Sequence, residues 1–130
     1  MAILTREKII EIMDIQRELV SVPEWGGEVY VRGLNGSERD AFESSIVAMH
    51  GKKSSVDMHN IRAKLAAATI CGEDGSLMFS EADVAALGKK SAAALDRIYN
   101  AATRLSGISE ADVDELAKNS NGRSGGSISA

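Results

Sequence analysis

Two β-branched runs, Leu19-Val20-Ser21-Val22 and Val29-Tyr30-Val31, stand on either side of Pro23-Glu24-Trp25-Gly26-Gly27. Alternating apolar residues broken by a Pro/Gly-rich turn predict a β-hairpin near residues 16–34. A two-stranded ribbon alone is marginal in water, so helices must cover it or another chain must pair with it. The rest of the chain has to supply that cover.

Helical grammar dominates what remains. Thr5 is placed to cap a helix through about Asp14, with Ile9, Ile10 and Met13 at helical spacing. Ser37 is placed to cap a second helix, on which Phe42, Ile46 and Met49 share a face and which Gly51 closes. After a polar loop, Gly51 to Ser55, a stripe of Met58, Ile61, Leu65 and Ala68 runs on to end before Gly72. Gly72-Glu73-Asp74-Gly75-Ser76 is turn chemistry, and Leu77-Met78-Phe79 forms a short extended piece. Ser80 and Ser91 cap two further helices, the first carrying a Phe79 to Val84 staple and the second a core stripe of Leu95, Ile98, Tyr99, Ala102 and Leu105 that Gly107 ends. Ser109-Glu110-Ala111-Asp112-Val113 repeats Ser80-Glu81-Ala82-Asp83-Val84 letter for letter, as two well-formed helix starts would. The fold class expected is therefore mainly α: a compact bundle of about five or six helices with one N-terminal hairpin. One domain spans 1–117, and a Ser/Gly-rich tail over 118–130 is expected to be disordered.

Composition narrows the function classes. The 130 residues carry 15 basic and 19 acidic side chains, a net charge of −4. Neither half has the basic excess that binding nucleic acid demands, and the helices from Ser37, Ser80 and Ser91 are too acidic or balanced for a recognition helix. Leu65 to Cys71, the longest apolar stretch, falls far short of the about 18 residues a membrane span needs. The charged N-terminal segment does not resemble a secretory signal, and the lone Cys71 suits a reducing compartment, so a cytosolic location is expected.

Catalytic and metal chemistry find little purchase. Cys71, at the expected C-terminal end of a helix, would have its thiolate disfavoured by the helix dipole. His50, Asp57, His59 and Cys71 lack the tight spacing of zinc ligands. Asp74-Gly75 and Glu81 match three positions of a calcium loop, but Ile70 and Gly72 would occupy ligand positions without offering a side-chain oxygen. No phosphate-binding loop or nucleophile elbow occurs. The expectation is a non-enzyme without cofactor or metal.

Interaction remains. Trp25, Val29, Tyr30 and Val31 gather aromatic and β-branched surface in the hairpin, and Met49 and Met58 flank the loop at Gly51 to Ser55. A ribbon has two faces, and these side chains serve either the core or a partner.

Four phrases carry a resemblance: Val29-Tyr30-Val31-Arg32-Gly33-Leu34-Asn35-Gly36-Ser37-Glu38-Arg39-Asp40-Ala41-Phe42-Glu43; Cys71-Gly72-Glu73-Asp74-Gly75 leading to Phe79; Ala86-Leu87-Gly88 with Lys90-Ser91-Ala92-Ala93-Ala94-Leu95-Asp96-Arg97; and Leu105-Ser106-Gly107-Ile108-Ser109. In this order and spacing the chain resembles the tail assembly chaperones of long-tailed bacteriophages. The resemblance implies a helper in the host cytoplasm, absent from the mature virion. It would bind the tape measure protein, keep it soluble and help recruit the major tail protein. It further implies self-association into an open array, and a longer product made by a −1 ribosomal frameshift, for which Ala117-Lys118-Asn119 permits a slippery sequence. The family has no catalytic motif to carry over. A small head-to-tail joining protein of the virion is the alternative.

Overall fold

The computed structural model describes residues 2–50, 53–56 and 60–108, with 48–50 and 53–56 described by backbone alone. In chain order the elements are α1 (Arg6–Glu11), β1 (Arg17–Val22), β2 (Gly27–Arg32), α2 (Gly36–Ile46), β3 (Val47–His50), β4 (Lys53–Val56), α3 (Ile61–Thr69), β5 (Ile70–Cys71), α4 (Val84–Leu87) and α5 (Ala92–Ser106). The architecture is mainly helical, as expected, with a larger β component than a single hairpin.

The expected hairpin is present. β1 and β2 pair antiparallel from Arg17 opposite Arg32 to Val22 opposite Gly27. A 3₁₀ turn, Pro23–Trp25, links them, with Pro at its first position and Gly26 in the left-handed region at φ 74° to turn the chain back. The helical stripe expected to run up to Gly72 instead stops at Thr69, and Ile70–Cys71 pairs with Val31 and Tyr30 as a third strand. Ile70 is extended at φ −69°, ψ 127°. The sheet order is β1-β2-β5, so the ribbon gains a neighbour within its own chain.

The second helix also differs from expectation at both ends. Its cap is Asn35 rather than Ser37: the Asn35 side chain accepts from the Glu38 amide at 2.8 Å while the Glu38 carboxylate accepts from the Asn35 amide at 3.0 Å, a reciprocal capping box. It ends at Ile46, because two consecutive β-branched residues, Ile46 and Val47, favour extended backbone, and Val47–His50 pairs with Lys53–Val56. Met49 is therefore a strand residue opposite Ser54, not the last apolar residue of a helix.

Three other caps are as read. Thr5 accepts from Lys8, Ser91 accepts from Ala94, and Ser80 forms a capping box with Asp83. The Ser80 helix opens with a 3₁₀ turn, Glu81–Asp83, before α4. Gly107 closes α5 at φ 73°. The expected helix from Ser109 and the tail over 118–130 lie outside the described residues.

Helix α5 is the centre of the fold, packing on α3 along one side and on β1 and β2 along the other. Ala63, Ala66 and Ala67 of α3 and Ala94, Ala101 and Ala102 of α5 are buried, and these small side chains let helices approach closely. Leu65, Ile98, Val22, Val31 and Ile70 fill the space between the layers, and each contributes about 1.5–3 kcal/mol by leaving water. Helix α1 takes no part, since none of its residues is buried. Ile3, Leu4, Ile9, Ile10, Ile12, Met13 and Ile15 are all exposed, forming an apolar N-terminal arm outside the core.

Candidate interaction surfaces

Register decides which hairpin side chains can meet a partner. Residues directly opposite one another in a ladder share a face. Val20 lies opposite Val29 and Glu18 opposite Val31, and this face turns to α5. Val31 is fully buried there, and Val29 is partly buried against the same core. Trp25, on the turn, is also half-buried against the core. Of the four hairpin residues singled out in the sequence, only Tyr30 belongs to the outer face, opposite Leu19. Val31 is thus a core residue, unavailable to a partner, and Val29 points the same way.

Leu19, 47% exposed, joins Tyr30 on the outer face. Alternation with Val20 and Val22 already put it on the opposite face. On that face Arg17 lies over the Tyr30 ring, 4.8 Å from its centroid, and donates to the Gly72 carbonyl at 3.4 Å. The outer face is thus a small apolar patch, Leu19 and Tyr30, with one cation seated on it.

Two bidentate ion pairs fasten the inner face. Arg97 donates to Glu24 at 2.9 and 3.2 Å, and Arg104 donates to Glu18 at 2.8 Å through each of two nitrogens. Arg97 and Arg104 are seven residues apart, two turns along one face of α5, and grip the turn and the open end of the hairpin respectively. The Arg104 hydrogen bond holds the Glu18 carboxyl below the usual glutamate range, and Arg97 does the same for Glu24. A third pair, Arg32 to Glu38 at 2.7 and 3.1 Å, ties β2 to the α2 cap and is less exposed. Burial pushes the Glu38 carboxyl upward, but Arg32 and the Asn35 amide outweigh it and leave the group below its ordinary range.

A second surface lies between α2, α3 and the segment entering α4. Ala41, Phe42, Ala68, Leu77, Phe79 and Val84 line an apolar groove of about 550 Å³, whose charged lining residues are Glu38, Lys64 and Glu81. Phe79 and Val84, the expected staple pair, help form its wall. The groove is predominantly carbon, suited to an apolar side chain or helix face.

Cys71 belongs to a strand, not a helix end, and is buried. Burial, rather than a helix dipole, pushes its thiol up, against the opposing pull of Arg32 and Arg17. Among the described residues no three His, Cys, Asp or Glu side chains converge as metal ligands would, and no helix is long and apolar enough to cross a membrane. Met49 falls on β3, whose side chain there is outside the description, and Met58 lies outside the described residues.

Comparison with known proteins settles the lineage. The family model for the phage tail assembly chaperone matches residues 6–119. The chain belongs to that family. No curated protein and no solved structure matches it. The match of this tail assembly chaperone begins at the first residue of α1 and so takes in the exposed arm from α1 onward, the sheet and all the packed helices.

Proposed function

We propose that this chaperone acts without catalysis in the host cytoplasm, binding the tape measure protein, keeping it soluble, helping recruit the major tail protein, and leaving before the virion is complete. The observation that carries this reading is the family match over residues 6–119. Its physical counterpart is the distribution of apolar surface: an exposed arm, an apolar groove, and Leu19 on the outer face of the sheet. A long helical client exposes apolar stripes, and a helper with several uncovered apolar faces is built to shield them. Several copies in an open array would cover such a client in series. A frameshifted longer form, diverging near Ala117-Lys118-Asn119, would carry the contact to the major tail protein.

Co-expression with the tape measure protein of the same phage tests the reading. The client's soluble fraction should rise and the two proteins should co-purify, while purified virions should lack the chain. A client that neither binds nor gains solubility, with the chain retained in virions, would instead make it a structural joining protein.

A further inference from the structure

The three-stranded sheet closes one of its edges and leaves the other open. Beyond β5, the Met78 amide donates to the Ile70 carbonyl at 3.1 Å and Leu77 bridges to Cys71, so that edge is taken within the chain. The opposite edge is β1, which runs from Arg17 to Val22. The Gly33 amide donates to the Gln16 carbonyl at 2.9 Å, so Gln16 and, by alternation, Glu18, Val20 and Val22 turn their backbone groups toward β2. The N–H and C=O groups of Arg17, Leu19 and Ser21 face away from the sheet, and no described residue bonds to them.

We propose that β1 pairs antiparallel with β1 of a second copy, about a two-fold axis at Leu19, joining the two sheets edge to edge. This deepens the self-association proposed above by giving it a unit. Such a contact is the same patch on both copies and closes on itself, so an open array is built of pairs joined through a second, different contact.

Three observations select a second copy as the occupant. The edge is unguarded: β1 holds no Pro and no Lys, pairs with β2 without a bulge, and its one inward charge, Glu18, is neutralised by Arg104 of its own chain. The strand is also complementary to itself. An axis at Leu19 sets Leu19 opposite the partner's Leu19 and Arg17 opposite the partner's Ser21, the residues whose outward groups are free to exchange hydrogen bonds. Glu18 then faces the partner's Val20, and no like charges meet. A shift of one step spoils this, because an axis at Glu18 sets two carboxylates opposite each other and an axis at Val20 asks Pro23 for an N–H it lacks. Finally, a helical client satisfies its backbone within each helix and has nothing to offer a strand edge, whereas an identical strand does.

Pairing uses the edge and leaves the outer face open. The two Leu19 side chains meet at the axis, and the Leu19–Tyr30 patches of both copies become one surface.

Amide exchange and sedimentation velocity together test this. Where the wild type sediments as pairs, the Leu19 and Ser21 amides should exchange at least about tenfold more slowly than in dilute protein, while those of Glu18 and Val20, which already face β2, change far less. Ser21→Pro removes an outward donor without touching the β1–β2 ladder, and should raise the dimer dissociation constant about tenfold. Ser21→Lys sets a cation opposite the partner's Arg17 and should raise it about fivefold, whereas Ser21→Glu should lower it. Ser21 is exposed, so circular dichroism should show each variant folded as the wild type is. A wild type that stays monomeric at every concentration overturns the proposal. So do pairs whose Leu19 amide exchanges as fast as in the monomer, which places the contact elsewhere, and Lys and Glu variants that shift the constant alike, which breaks the register. Protection of Leu19 that appears only when the tape measure protein is added makes the client the occupant and equally sinks the pairing. Client solubilisation is scored in parallel: a monomeric wild type that still solubilises the tape measure protein removes the edge contact and leaves the chaperone reading intact. Pairing without client binding does the reverse.

Discussion

Gly33 lies so close to the end of α5 that a β-carbon on it would meet the carbonyl oxygen of Leu105 at 2.6 Å. The neighbouring Leu34 amide donates to the Ser106 hydroxyl at 2.9 Å, so the exit of β2 is seated directly on the last turn of the central helix. The obstacle is backbone, which cannot swing aside as a side chain can. Gly33→Ala should lose about 1–3 kcal/mol in urea unfolding, the cost of forcing two packed elements apart. An unchanged midpoint would show that the strand and helix can separate freely here.

The Arg32–Glu38 pair gives the stability a pH dependence of known sign. Glu38 has a folded-state pKa below its ordinary value, so its contribution is present above the ordinary glutamate range and is lost as pH falls through the lower folded value. Glu38→Gln removes both the charged partner of Arg32 and the carboxylate of the capping box. At neutral pH it should cost about 1–3 kcal/mol. In acid the difference from wild type should shrink, because the native carboxyl is then protonated too. Urea melts of both proteins across that range check this, and a constant gap would contradict it.

Cys71 should be chemically silent in the folded protein. It is 1% exposed, and burial raises its thiol pKa, so little thiolate is available and a reagent has no path to it. A chromogenic disulfide reagent at neutral pH should react only as fast as the protein opens, and at once in denaturant. Fast stoichiometric reaction in buffer would mean that β5 detaches readily from β2.

Trp25 and Tyr30, both aromatic and five residues apart, should separate on mutation. Trp25 packs against the core, so Trp25→Ala should cost about 1–3 kcal/mol of stability. Tyr30 stands on the outer face beneath Arg17, and Tyr30→Ala, alone or with Leu19→Ser, should keep the helical circular dichroism while reducing co-purification of the client. Equal loss of stability in both would place Tyr30 in the core as well.

Much of the fold was legible because it is written locally. Thr5, Ser80, Ser91 and Gly107 act within one turn of their own position, and the hairpin turn needs only Pro23 and Gly26. The stripe of α5 repeats every three to four residues and can face only one way. Asn35 and Ser37, two residues apart, offer the same capping chemistry in the sequence, and Asn35 takes the cap where Glu38, held by Arg32, closes the capping box.

The candidate surfaces were less legible. The sequence identifies Val29, Tyr30 and Val31 as a β-branched and aromatic run, but it does not say which members turn inward; pairing with β1 over α5 buries Val31 and leaves Tyr30 outside. The groove is assembled from α2, α3 and the segment at Leu77, far apart in the chain, and no local pattern announces it.

The caps at Thr5, Ser80 and Ser91, the Gly107 stop, the α5 stripe and the hairpin with its turn were settled by the amino-acid sequence, since each depends on interactions a few residues long. Tertiary structure alone decided that Ile70 and Cys71 leave the helix to pair with Val31 and Tyr30, and that the arm from Ile3 to Ile15 finds no place in the core. Both outcomes turn on competition between distant segments for one ladder edge and one helix face, and an apolar residue looks the same in sequence whether it wins that contact or is left exposed.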